Sequence, residues 1–254
     1  MIIIKNHEEL KKMRRAGRIT AEVCDAVARS VGPGMTTAEI DRCAANMIRQ
    51  FGAKSAFLGY RGYPGNVCIS VNEEVVHGLP GPRRIRIGDI VSLDVGVVVD
   101  GFVGDMATTI MVGVSDPDVI RLVATAQQAL AAGIRQARAG NRLSDISAAI
   151  EQVATAAGFS VVHDFVGHGI GRTMHEDPQI PNFGSPGRGP VLRDGMTLAI
   201  EPMVNLGVAG VEVLEDRWTV VTRDRRPSAH VEHTVAVGVT AAEILTCASE
   251  KRDN

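Results

Sequence analysis

The segment LDVGVVVDGFVGD, Leu93 to Asp105, places two carboxylates in an otherwise apolar run. An Asp-Gly pair between valine-rich stretches predicts a two-residue type I′ hairpin at Asp100 and Gly101, because both turn positions need positive φ. In that register Gly96 faces Asp105 and Ala107 faces Asp94, so both acids have small neighbours and room to lean together. The acids share a face as diagonal neighbours, roughly 7–8 Å apart at the backbone and closer at the carboxylates. A slip of one residue would send them to opposite faces. The same face carries Ile90, Val98, Val103 and Met111, which is too apolar for an ordinary solvated surface. Two convergent carboxylates in a mostly dry place share a proton or hold a cation.

Further donors fit a hard-metal site. Glu201 closes LAIEPM, and Glu232 sits in the alternating segment HVEHTVAVG. FVGHGIGRTMH sets His168 and His175 seven residues apart among glycines, unlike the i, i+4 pair of a helical zinc site. Gly167, Gly169 and Gly171 let the backbone approach something closely. Together Asp94, Asp105, His168, Glu201 and Glu232 offer four carboxylates and one imidazole. That donor set favours Mn, Fe(II) or Co over a structural zinc. Four acids carry too much charge for one ion, whereas two divalent cations about 3.5–4 Å apart would balance it. His230 and His233 flank Glu232 and read as structural, as do His7 and His163.

The elements that must position these residues follow from capping signals and apolar spacing. A first helix begins near Asn6, with Glu9 as capping-box partner, and runs toward the Gly32-Pro33-Gly34 break. Thr36 and Glu39 repeat the signature for a second helix, striped by Ile40, Cys43, Met47 and Phe51. After strands around Val67 to His77 and Ile90 to Met111, Asp116-Pro117 opens a third helix that stops near Gly140. A fourth carries Ile146, Ile150, Val153 and Ala157 and stops at Gly158. This order repeats internally. Gly34, Glu39, Ile40, Met47 and Gly52 fall on Gly140, Asp145, Ile146, Val153 and Gly158, and IGDIVSLD falls on DGMTLAIE, so that Asp94 matches Glu201. A helix-helix-strand unit used twice puts these two acids in equivalent places about a pseudo-twofold axis.

Composition excludes several classes. Hydrophobic residues at 45% and charged residues at 22% of 254 suit a globular chain with a sizeable core. A formal charge of −2 gives no bulk attraction to nucleic acid or anionic membrane. The opening MIIIKNHEEL is neither a signal peptide nor a membrane span. Cys24, Cys43, Cys68 and Cys247 lie scattered without a CxxC pair, which argues against a disulfide framework and places the chain in the cytoplasm.

In NEEVVHGLP, LDVGVVVDGFVGD, GHGIGRTMHE, IEPM and the EHT around Glu232, the chain closely resembles the type I methionine aminopeptidases. The resemblance runs from the first helix to Glu243. It implies an α+β pita-bread fold, two pseudo-symmetric helix-helix-strand halves around a curved, mainly antiparallel sheet. One catalytic domain over residues 1–254 is expected, with halves of approximately 1–113 and 114–254 and no N-terminal zinc-finger extension. The implied activity is removal of the N-terminal methionine from nascent proteins and peptides that carry a small second residue.

By the same resemblance Asp94 binds one metal, Asp105 and Glu232 bridge both, and His168 and Glu201 complete the other. Zn and Ni join Mn, Fe(II) and Co as candidate ions. His77 and His175 match the two non-ligand histidines beside the scissile peptide, and Glu201 matches the acceptor of the water proton. Phe57, Tyr60, Tyr63, Cys68, Met174 and Trp218 match the methionine pocket. Phe57 stands where a cysteine is frequent and Met174 where a phenylalanine is, which puts fine specificity in question rather than the reaction. Asn72, Glu74 (through its carbonyl) and Ser228 match a monovalent-cation site of some relatives. Expected partners are N-terminal Met peptides, nascent chains and the ribosome near its exit tunnel; nucleic acid read by sequence and membrane are not expected, and the chain is expected to be a monomer.

Three alternatives compete. A peptidase for Xaa-Pro bonds on the same fold generally carries an additional N-terminal domain. A non-catalytic binding module would show eroded ligands, and all five stand here. A dinuclear phosphatase would need a phosphate-cradling Gly-rich loop followed by Lys or Arg, for which Arg172 is the nearest residue and reads as scaffold.

Overall fold

Asp100 and Gly101 take φ of 51° and 75°, and between them the strands Ile90–Val99 and Phe102–Met111 pair in the expected register. Val99 meets Phe102, Gly96 meets Asp105 and Asp94 meets Ala107. The computed structural model describes residues 1–248. Alternation along Ile90–Val99 divides its side chains. Val91, Leu93, Val95 and Val97 join the core under the first two helices, while Ser92, Asp94, Gly96 and Val98 look the other way.

The helices begin where their caps predict. Helix α1 (His7–Ser30) starts behind Asn6, whose side chain accepts the Glu9 N–H while Glu9 accepts the Asn6 N–H. Helix α2 (Thr37–Gln50) repeats that reciprocal cap with Thr36 and Glu39. Helix α3 (Pro117–Gln136) is capped by Asp116 and ends a few residues before Gly140, and helix α4 (Leu143–Ala156) stops before Gly158. The buried faces contain the stripes read in the sequence, except Phe51, and extend to one side of them. Helix α2 buries Thr37, Ile40, Ala44 and Ile48, with Cys43 and Met47 partly buried against the same core and Phe51 exposed, and α4 buries Leu143, Ile146, Ile150 and Ala154, with Val153 and Ala157 partly buried beside them. Backbone bonds from the first turn, Thr37 N–H to the Arg83 carbonyl and Leu143 N–H to the Pro190 carbonyl, anchor both helices. Each fully buried Ile or Leu on these faces contributes about 1.5–3 kcal/mol.

The internal repeat is visible in backbone hydrogen bonds. Gly34 N–H reaches Ile85 O at 2.8 Å, and Gly140 N–H reaches Leu192 O at 3.0 Å. Bridges Thr36 to Arg84 and Arg142 to Val191 correspond in the same way. Both linking glycines sit at positive φ, 90° and 95°, where a side chain would be strained. One nine-stranded sheet then runs through both halves. At its centre Phe102–Met111 pairs antiparallel with Glu232–Ala236, which pairs in turn with Thr197–Ile200. Asp105 and Glu232 therefore come from the two middle strands, Asp94 from the strand outside one of them, and Glu201 from the residue just past the end of Thr197–Ile200 outside the other. Among the described residues no helix is long and apolar enough to cross a membrane.

Candidate metal centre and substrate pocket

The inner face of the sheet opens into a cavity of about 380 Å³. Asp94, Asp105, His168, Glu201 and Glu232 line one part of it; Phe57, Tyr60, Tyr63, Cys68, Met174 and Trp218 line another, with His77 and His175 between. Asn72, Glu74 and Ser228 are not part of its lining. The Asn72 carbonyl accepts the Ser228 N–H at 2.9 Å, and the Asn72 side chain is committed to Asp89 and the Ile90 N–H. The Glu74 carboxylate is held by the Val71 N–H and Arg83.

The acidic cluster is almost closed to solvent: Asp105 is 4% exposed and Glu232 2%. One oxygen each of Asp94, Asp105 and Glu232 is buried without a hydrogen-bond partner. Such atoms are costly to bury unless something cationic meets them. Donor atoms of Asp105, His168 and Glu232 lie within 4.8 Å of one another, and so do those of Glu201, His230 and Glu232. His168 Nε2 is 3.5 Å from Glu201 and 3.9 Å from Asp105. Its other nitrogen lies 2.9 Å from the Gly169 carbonyl, which fixes the proton on Nδ1 and leaves Nε2 as a lone-pair donor. The donor set and its unsatisfied oxygens fit divalent cations.

Electrostatics point the same way. Burial pushes Asp105 up to about 7, and burial followed by repulsion from Asp105 holds Asp94, Glu201 and Glu232 well above the usual carboxylate range. Burial pushes His168 down to about 3 and His77 down to about 4, so both rings are neutral at neutral pH. Perturbed groups of this kind gather where a protein does chemistry.

His230, read from the sequence as structural, belongs to this site. Its ring is 2% exposed, and its Nε2 has no hydrogen-bond partner and lies 3.7 Å from Glu201 and 4.0 Å from Glu232. The spacing holds the missed signal, since residues two apart on an extended chain share a face. His233 does turn away, toward Thr246. Asp164, Phe165, Gln179 and Arg61 also line the cavity without having been singled out.

The histidines outside the cluster are positioned by their neighbours. His77 adopts φ 60°, a region that costs a non-glycine residue about 1–3 kcal/mol. The flanking Gly78 holds it there, its N–H donating to Ser70 and its carbonyl accepting the Ile69 N–H. The His77 ring meets Phe165 and Trp218 edge-on. His175 lies against His168 at 4.3 Å between ring centroids, and its Nδ1 is 2.8 Å from the Tyr60 hydroxyl.

The apolar part of the cavity has a structural reason for Gly96. A Cβ there would come within 2.8 Å of Met174 Cε and 3.0 Å of the Phe57 ring. The room left by this glycine is filled by the pocket wall rather than by the leaning acids. Tyr63 packs edge-on against Trp218 at 5.1 Å and donates to the Gly78 carbonyl at 2.8 Å. Cys68 pairs in register with Asp94, and burial followed by that acid keeps its thiol protonated.

Residues 11–238 match the model of metallopeptidase family M24. The chain belongs to metallopeptidase family M24. Within M24 it is 51% identical to a methionine aminopeptidase of Clostridium perfringens, over 97% of this chain and 99% of that one. A solved structure of methionine aminopeptidase from Thermotoga maritima matches with a TM-score of 0.95 at 46% identity, over 97% of this chain and 99% of the other. A prolidase from Pyrococcus furiosus matches at 0.79 and 21% identity, over 98% of this chain but 66% of its own, which shows a common fold. That fold is the pita-bread fold of the M24 metallopeptidases.

Proposed function

We propose that this M24 metallopeptidase is a methionine aminopeptidase that removes the first residue of peptides and nascent chains when the second residue is small. One observation carries the reading: a single cavity joins a nearly buried acid and imidazole cluster to an apolar wall of Phe57, Tyr63, Cys68, Met174 and Trp218. Thioether side chains suit aromatic edges and polarizable neighbours, which this wall supplies. The cavity volume lies at the low end for ligand sites and suits one side chain with its flanking peptide.

Asp94, Asp105, His168, Glu201 and Glu232 would hold two divalent cations, and Mn, Fe(II) and Co fit the oxygen-rich donor set best. Bound there, such cations act as Lewis acids that acidify water and polarise a carbonyl. Glu201 accepts the water proton at its carboxylate, which faces the cavity beside His168. His175, with Tyr60 donating to Nδ1, carries its proton on Nε2 and offers it to the oxyanion that develops on the scissile carbonyl. His77, kept neutral by burial, hydrogen-bonds the scissile amide or the residue after it. The substrate's free α-amine seats at the carboxylates, which restricts cleavage to chain termini. Phe165 and Val76 narrow the adjoining space for the second residue.

The finer readings belong to the same proposal. The chain acts as one catalytic domain and as a monomer in the cytoplasm, meeting its substrates near the ribosomal exit tunnel. A monovalent cation sits at the carbonyls of Asn72 and Glu74 and the Ser228 hydroxyl, since the Asn72 side chain is already committed. A peptidase for Xaa-Pro bonds is not favoured, given the full-length identity to methionine aminopeptidases. The test is release of the first residue from Met-Ala-Ser, Met-Leu-Ser and Ala-Pro-Ser. Cleavage of Met-Ala-Ser alone is expected; cleavage of Ala-Pro-Ser in preference would overturn the proposal.

A further inference from the structure

Gly171, one of the three glycines in GHGIGRTMH, is approached by Lys5. A Cβ on Gly171 would lie 2.5 Å from Lys5 Cε and 2.7 Å from Glu176 Oε1, so any side chain there would displace the ends of both from this arrangement. Lys5 Nζ donates to Glu176 Oε2 at 2.6 Å, with 3% and 6% of the two side chains exposed. The second oxygen of Glu176 accepts the Arg172 N–H at 2.9 Å and the Thr173 N–H at 3.4 Å. Glu176 thus ties the start of the turn to its end, with Met174 and His175 between. Lys5 is itself fixed from behind, because its N–H donates to Gly195 O at 2.8 Å.

Such a pair is weak evidence for stability, because desolvating both charges offsets most of their attraction. What it supplies is geometry: one carboxylate holds an ammonium and two backbone amides at once. The turn it ties presents Met174 and His175 to the cavity. We propose that Lys5 is a positioning residue for catalysis: through Glu176 it holds the Gly171–His175 turn so that His175 meets the reacting carbonyl. This inference rests on the role given to His175 in the proposed function.

The experiment compares the unmodified protein with Lys5→Met, Gly171→Ala and the double variant Lys5→Met/Glu176→Gln. Each is measured for Tm, divalent-ion content and steady-state methionine release from Met-Ala-Ser. Lys5→Met removes the charge, whereas Gly171→Ala wedges the pair apart with both charges in place. A displacement of ~1 Å at a reacting group costs up to about 10²-fold in rate. Folded, metal-loaded Lys5→Met and Gly171→Ala are therefore expected to lose about 10- to 100-fold in kcat, with a much smaller change in KM. The double variant is expected to regain Tm without regaining kcat. If the single variants turn over at the unmodified rate, or if kcat returns together with Tm in the double variant, the inference is overturned while the proposed function stands. If the unmodified protein releases no methionine, the proposed function falls and this inference falls with it.

Discussion

The Tyr60 hydroxyl lies 2.8 Å from Nδ1 of His175, and the two rings stack with centroids 5.5 Å apart. Tyr60→Phe keeps the ring and removes only that partner, so His175 loses the Nδ1 hydrogen bond on which its proposed Nε2–H tautomer rests. A neutral hydrogen bond contributes about 1 kcal/mol, so kcat for Met-Ala-Ser is expected to fall about five- to tenfold. An unchanged kcat would show that the tautomer is set by something else.

Gly96 tests the pocket wall. It does not need positive φ, so Gly96→Ala leaves the backbone unstrained and adds one methyl against Met174 and Phe57. Overpacking of this kind costs about 1–3 kcal/mol. The expected outcome is a lowered Tm and a KM for Met-Ala-Ser raised about tenfold or more, with metal content unchanged. Wild-type KM in the variant would mean that the methionine side chain binds elsewhere.

Metal binding is expected to depend on pH with a definite sign. In metal-free protein the raised pKa values of the acids add stability below the ordinary carboxylate range, and that contribution is lost as pH rises, through about 7 for Asp105. Cations bind the ionised acids, so binding expels protons and tightens as pH rises. At a hundredfold excess over Kd the gain is about 2.7 kcal/mol, which amounts to several degrees in Tm for a chain of this size. Adding Mn(II) to chelated protein should therefore raise Tm clearly at about pH 8 and little at about pH 5.5. A shift of equal size at both values would contradict the buried-acid account.

The hairpin could be read from the sequence because its determinants are local. Asp100-Gly101 fixes the turn, the turn fixes the register, and the register sets the faces of Asp94 and Asp105. Helix starts were equally legible, since Asn6 with Glu9 and Thr36 with Glu39 act within one turn. The inward stripes of α2 and α4 were legible at Ile40, Ile146 and Ile150 but not at Phe51, which is the C-cap residue of α2 and lies exposed past its last turn. His230 lies two residues before Glu232, the spacing that turns both side chains to one cavity, but the strand Ser228–His230 belongs to a different sheet, so the shared face does not follow from one continuous ladder. Nothing local to GHGIGRTMH identifies Lys5 as what its last glycine accommodates.

The most direct measurement is methionine release from Met-Ala-Ser by chelated protein to which Mn(II), Fe(II) or Co(II) is added back, run beside Asp105→Asn. Asp105 lies on a middle strand of the sheet, within donor distance of His168 and Glu232. The account predicts no release without a divalent cation, recovery on adding one, and a loss of 10²-fold or more in Asp105→Asn that stays folded. Release from chelated protein, or full activity in Asp105→Asn, would contradict a metal-dependent aminopeptidase built on these acids.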